Sequence, residues 1–172
     1  MKIYIIGASG SGKTTLAKKI SKILKIKYFD LDNIYWKIKF TTCNTEEHRN
    51  KEFNKIIKNK DWIIEGVYTK WNKKALEKAD TIIWLNINKY KIIFRLIKRE
   101  LKNILFKKYK SNIKQRINFI KNASNYDFNK KMSYYYEHKH CLDKIKKKYI
   151  EIKNKKDEII FIKKLKKKIY YA

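Results

Sequence analysis

The sequence predicts an α/β domain: a parallel sheet with helices covering both faces. Three observations carry that expectation. Short apolar runs alternate with amphipathic stretches along the 172 residues. Strands separated by helical crossovers pair in parallel and are covered on both sides. A glycine cluster sits where the first apolar run meets the first amphipathic stretch, at the strand end where ligands of such sheets bind.

The elements follow in order. Residues 2–6 (KIYII) form a short buried strand. Residues 13–24 place Leu16, Ala17, Ile20, Ile23 and Leu24 at the three-and-four spacing of a helix. Residues 27–29 give a second strand that ends at Asp30 and Asp32. Thr45 is the expected N-cap of a helix over 46–59, with Glu46 and Glu47 favourable in its first turn. Residues 62–65 (WIIE) are a third strand, 70–78 a short helix, and 81–85 (TIIWL) a fourth strand. A long helix follows, with Ile93, Leu96, Ile97, Leu101, Ile104 and Leu105 as its expected buried stripe. Residues 113–122 and 130–147 read as further helices, 149–152 (YIEI) as a fifth strand and 157–168 as a closing helix. About 60 residues between the fourth and fifth strands exceed what a simple crossover needs, which leaves room for a lid. No repeat or linker divides the chain, so residues 1–172 read as one domain.

Composition narrows the class. No apolar run approaches the roughly 20 residues that span a bilayer, so no membrane partner is expected. The N-terminus has no signal-peptide pattern. Two distant cysteines, Cys43 and Cys141, suit a reducing cytoplasm rather than a disulfide scaffold. The net charge of +29 comes from 41 lysines and only 4 arginines, in a chain with no proline. Lys, Ile, Asn and Tyr have AT-rich codons, so much of this basicity reads as compositional background. Weak, salt-dependent attraction to nucleic acid is its expected consequence. Against that background the rare residues stand out. Three of the 4 glycines fall between positions 7 and 12, and Arg95 and Arg99 lie one helical turn apart.

Gly7 to Thr14 read GASGSGKT and match G-x-x-x-x-G-K-[ST], with a strand before and a helix after. Glycine lets such a loop turn its amides toward a triphosphate, and the helix N-terminus adds its positive dipole. Gly7, Ser9, Gly10, Ser11, Gly12, Lys13, Thr14 and Thr15 are therefore the candidate ATP-binding residues. Lys13 would reach the β- and γ-phosphates, and Thr14 would ligate Mg²⁺. With glycine this scarce, chance would produce the match roughly once in several hundred such chains.

Acids gather at the strand ends. Asp30 and Asp32 form a D-x-D pair, both pointing to one side if the chain there is extended. One suits Mg²⁺ or its waters and the other the proton of an acceptor hydroxyl. Asp32 is the candidate for the acceptor, and Asp30, Thr14 and Glu65 are candidates for the metal. Glu65 closes its strand, and Gly66 is expected to turn the backbone near the phosphates. Asn86 follows the fourth strand where an aspartate would be expected, which makes that strand the poorer source of a metal acid. Arg95 and Arg99 share a face away from the apolar stripe and suit a bidentate phosphate clamp; Arg116 would be a lid arginine. Tyr35, Trp36 and Tyr68 would wall a small-molecule acceptor pocket, whereas Trp71 reads as packing. His138, His140 and Cys141 lack metal-ligand spacing with partners elsewhere, and the lysines of 163–168 read as a solvated helix face.

The stretches GASGSGKTT, FDLDNIYW, WIIEGVY and ADTIIWLN, with the arginine-bearing helix, resemble the adenylate-kinase-like proteins labelled DNA topology modulation proteins. More distantly they resemble nucleotide and shikimate kinases. The resemblance implies a five-stranded parallel sheet of order 2-3-1-4-5 and a helical lid over about 107–130. It implies that Lys13 and Thr14 hold ATP and magnesium, that Asp32 faces the acceptor, and that Arg95 and Arg99 serve the lid. It also implies that residues 154–157 lie by the adenine. The function expected is phosphotransfer from Mg·ATP to a small acceptor, such as a nucleotide or nucleoside, by Lys13, Asp32, Arg95 and Arg99. The rivals are a nucleotide-gated nucleic-acid binder and a simple ATPase.

Overall fold

The computed structural model describes residues 1–38, 41–105, 118, 120–121 and 133–170. The elements run β1 (Lys2–Gly7), α1 (Lys13–Leu24), β2 (Tyr28–Asp30), α2 (Asp32–Tyr35), β3 (Trp36–Ile38), β4 (Thr42–Cys43), α3 (Glu46–Lys58) and β5 (Trp62–Gly66). They continue as α4 (Lys73–Lys78), β6 (Thr81–Leu85), α5 (Lys89–Leu105), α6 (Tyr134–Ile145), β7 (Tyr149–Ile152) and α7 (Lys155–Tyr170). The main sheet has five strands in the order β2-β5-β1-β6-β7, every pair parallel. Counted by its own strands, that is the expected 2-3-1-4-5 arrangement.

Alternation along β1 divides the core into two layers, as the period of two in a strand requires. Ile3 and Ile5 pack with Leu16, Ala17 and Ile20 of α1, Ile92 and Leu96 of α5, and Phe161 and Leu165 of α7. Tyr4 and Ile6 face the other way, onto Phe53, Ile56 and Ile57 of α3, Leu76 of α4 and Leu142 of α6. All four β1 side chains are fully buried, each isoleucine contributing about 1.5–3 kcal/mol relative to exposure. β1 is flanked by β5 on one side and β6 on the other. Its carboxyl end therefore lies where the strand order reverses, the place where open α/β sheets hold ligands.

Thr45 caps α3 as expected, its Oγ1 accepting from the His48 amide at 3.3 Å. Four features differ from the expectation. The short helix begins at Lys73 rather than residue 70. α6 covers Tyr134–Ile145 of the expected 130–147. A two-stranded hairpin of β3 and β4 appears, with Trp36 opposite Cys43. The apolar stripe of α5 does not go inward as a whole. Only Ile92 and Leu96 are buried, while Ile97, Leu101, Ile104 and Leu105 are 43–78% exposed. The helix docks near its start, where a Cβ on Gly10 would sit 2.9 Å from the Leu96 side chain. That contact seats Leu96 of the row against the glycine loop, and the neighbouring Arg95 reaches Ser11 O at 2.9 Å. Arg116 and most of the 107–130 and 113–122 segments lie outside the described residues; Asn118, Ile120 and Lys121 are helical.

Candidate active site

A cleft of about 510 Å³ opens at the carboxyl ends of the strands. One wall is the loop between β1 and α1. Gly10 (φ 80°) and Gly12 (φ 105°) are left-handed there, a conformation costly for any residue with a Cβ. The Ser11 amide bonds back to Ala8 O at 3.1 Å, and the first bond of α1 runs from the Leu16 amide to Gly12 O at 3.0 Å. The amides of Lys13, Thr14 and Thr15 precede that bond and open along the helix axis. Ser9 and Ser11 line the same wall. Ser11 Oγ is buried and takes no hydrogen bond among the described residues. Gly7 ends β1 so close to β6 that a Cβ would lie 2.8 Å from Leu85 O. Lys13 is 8% exposed, its Nζ donating to Ala8 O at 3.0 Å. Burial lowers its pKa, and Glu65, Asp32 and Asp30 oppose that shift.

Opposite this loop the strand ends bring three acids together. Asp30 pairs in register with Glu65 across β2 and β5. Glu65 is 2% exposed and accepts from Thr14 Oγ1 at 2.5 Å. Burial raises its pKa, against the pull of the Lys13 charge. With its proton committed to Glu65, the Thr14 hydroxyl keeps its lone pairs for a cation, the usual task of a partner behind a metal ligand. Asp30 Oδ1 accepts from the Asp32 amide at 2.9 Å. Extended geometry does not hold through the D-x-D pair, because Asp32 opens the short helix α2; both acids nevertheless line the cleft.

Cations close the cleft from α5. Arg95 Nη1 donates to Ser11 O at 2.9 Å, and Arg99 lines the same space with Nε 3.3 Å from Glu100 Oε1. The fit to a polyphosphate rests on these features together: open amides, a buried Ser11 hydroxyl with no partner among the described residues, and ammonium and guanidinium groups around one space. Hard oxygen donors from Thr14, Asp30 and Glu65 suit Mg²⁺, which needs few protein ligands when phosphate is present. Among the described residues no group of three His, Cys, Asp or Glu side chains forms a ready-made metal site. At the sheet's other edge Asn154, Lys155 and Glu158 complete the lining. Glu158 there accepts from Lys19 at 2.5 Å and Lys155 at 2.9 Å.

The surroundings of Asp32 are aromatic. Tyr68 OH donates to Asp32 Oδ1 at 2.8 Å, and its ring stacks on Tyr35 with centroids 4.7 Å apart. The Arg49 guanidinium lies 5.0 Å from the Tyr35 ring and 6.0 Å from that of Trp71. Its Nε is buried and has no hydrogen-bond partner among the described residues. Arg49 has little sequence signal because it sits in the first turn of α3, away from any strand end; its one mark is being among the 4 arginines of the chain. Trp71 packs on Phe53, in keeping with a packing role. Two expectations need correction. Gly66 does not turn the backbone: it is the last residue of β5, paired with Ile6, and a Cβ there would meet Leu31 at 3.0 Å. Trp36 belongs to the β3–β4 hairpin, edge-on to Tyr35, and the expected wall of Tyr35, Trp36 and Tyr68 stands outside the cleft lining, reaching it only through the Tyr68 bond to Asp32. Asn86 donates to Glu151 Oε1 at 2.7 Å, so an aspartate there would face a second carboxylate.

The sheet order and the loop between β1 and α1 define a P-loop kinase fold. A family model for shikimate kinase matches residues 9–161, and the chain belongs to that family. It is 32% identical over 133 residues to the uncharacterized protein YqaC of Bacillus subtilis (strain 168), covering 73% of this chain and 72% of that protein. Among solved structures, shikimate kinase from Acinetobacter baumannii in complex with shikimate superposes with a TM-score of 0.58 at 13% identity, covering 99% of this chain and 94% of that one. Deoxyadenosine kinase from M. mycoides with bound dATP superposes with a TM-score of 0.53 at 16% identity, covering 96% and 99%. At such identities the likeness is one of fold.

Proposed function

We propose that this chain transfers the γ-phosphoryl group of ATP, with Mg²⁺, to a hydroxyl of a small acceptor that also carries an anionic group. The observation that carries the reading is the convergence on one cleft of the P-loop, with Lys13 and Thr14, and the carboxylate of Asp32. Asp32 accepts the proton of the acceptor hydroxyl as its oxygen bonds to the γ-phosphorus and the bond to the departing ADP oxygen breaks. Lys13, Arg95 and Arg99 hold the charge that spreads over the phosphoryl oxygens, and the amides of Gly12 to Thr15 fix the β-phosphate. Thr14, with Asp30 and Glu65 behind it, would hold Mg²⁺, which would supply neutralisation of phosphate charge. Catalysis is thus positioning and electrostatics in a water-poor cleft.

The anionic group is inferred from Arg49. A guanidinium 5.0 Å from one aromatic ring and 6.0 Å from another, its buried Nε without a partner among the described residues, suits a carboxylate or phosphate. The narrower kinship with DNA topology modulation proteins rests on Leu31, Asp32 and Trp36 and on the stretch from Ile64 to Tyr68. A cytoplasmic setting rests on the two free cysteines. Purified protein with Mg·ATP and a panel including shikimate, gluconate, deoxyadenosine and nucleoside monophosphates tests the reading by mass spectrometry of the products. A phosphorylated product from an anionic acceptor is expected. ATP hydrolysis that no acceptor changes would make the chain an ATPase. No turnover, with DNA affinity that ATP alters at fixed salt, would make it a nucleic-acid binder.

A further inference from the structure

We propose that Tyr68 is a positioning residue for Asp32 and that α6 sets where Tyr68 stands; the proposal deepens the phosphotransfer reading and rests on it. Asp32 is restrained twice. Its amide donates to Asp30 Oδ1 at 2.9 Å, which fixes the backbone, and its Oδ1 accepts from Tyr68 OH at 2.8 Å, which fixes the carboxylate plane. Oδ2 is then the oxygen that meets the acceptor. Burial first, and the Asp32 charge second, push the Tyr68 phenol's pKa up, so the hydroxyl keeps its proton and remains a donor.

The ring and backbone of Tyr68 are themselves held. The ring is stacked on Tyr35 and tilted against Trp71 at 5.4 Å. Tyr68 O accepts from Asn72 Nδ2 at 2.7 Å. On either side of it, α6 grips the chain: Val67 O lies 2.8 Å from His138 Nε2, and Thr69 Oγ1 donates to Glu137 Oε1 at 2.7 Å. These contacts join residues about 70 positions apart in sequence. They connect the helix preceding β7 to the acceptor side of the cleft, through a loop that nothing else in the mechanism uses. A carboxylate that loses such restraint samples unproductive orientations, and displacement of about 1 Å can cost up to about a hundredfold.

Tyr68→Phe keeps the ring and its stacking and removes only the donor. With the best acceptor of the panel, or with water as acceptor, kcat is expected to fall about tenfold or more while KM for Mg·ATP stays within about twofold. Because Tyr68 acts through Asp32, Tyr68→Phe combined with Asp32→Asn should be no slower than Asp32→Asn alone. Thr69→Val should change kcat in the same direction by less. Wild-type kcat in Tyr68→Phe, or a double variant whose loss is the product of the two single losses, would overturn the proposal. If the wild type phosphorylates no acceptor, the phosphotransfer reading fails separately. Crystal structures of wild type and Tyr68→Phe then decide: a reoriented Asp32 carboxylate supports the positioning role, and an unmoved one overturns it.

Discussion

The two ends of the cleft are built in different ways. The phosphate end is local: Gly7 to Thr15 are contiguous, and the loop's shape is set by two left-handed glycines and one helix start. The end proposed for the acceptor has Asp32 after β2 in the cleft lining, and behind it Tyr68 after β5, Arg49 in α3 and α6 nearly 70 residues later. A local device tolerates changes elsewhere in the fold, whereas an assembled one depends on the packing of every contributor. That difference lets one end keep a fixed task while the other is free to vary with the acceptor.

Substitutions can break this contrast. Lys13→Ala should lower turnover with any acceptor by about a thousandfold or more, because the ammonium serves charge that every acceptor generates. Asp32→Asn should cost about a hundredfold or more with a hydroxyl acceptor, the usual range for a lost general base, with Mg·ATP affinity retained by calorimetry. Arg49→Gln should act on the acceptor alone. Its KM is expected to rise about tenfold or more with little change in kcat or in KM for Mg·ATP. Equal effects of all three on Mg·ATP binding would show that the two ends are not separate.

Much of the phosphate end was legible in the sequence because its physics is local. The glycines, Lys13 and Thr14 identify themselves by spacing, and the fold followed from alternating apolar runs. At the other end only residues at or just past a strand end stood out, as with Asp32 and Tyr68. Arg49 and the grip of Glu137 and His138 on the Val67–Thr69 loop are tertiary facts without a short-range signal. Gly66 shows the opposite error: a glycine after an acid suggests a turn, but here the Leu31 side chain is packed against it. Likewise the α5 stripe was read by periodicity alone, while the loop contact at Gly10 seats Leu96 of that row.

Acid provides a milder probe of the assembled end. His138 is 1% exposed, and burial lowers its pKa to about 4 from the ordinary 6.5. Between those values the unfolded chain takes up a proton on this ring that the folded chain refuses. Stability should therefore be level above pH 6.5 and fall as the pH drops toward 4, by about 3 kcal/mol from this group. In thermal melts His138→Gln should flatten that part of the pH dependence; an unchanged slope would show that the ring does not stay neutral in the fold.

Isothermal calorimetry of the wild-type protein with ATP at saturating magnesium bears most directly on the central claim. One site per chain, accompanied by a rise in melting temperature and abolished or greatly weakened by Lys13→Ala, is the predicted result. Absence of both heat and melting shift would contradict the polyphosphate cradle and every step derived from it.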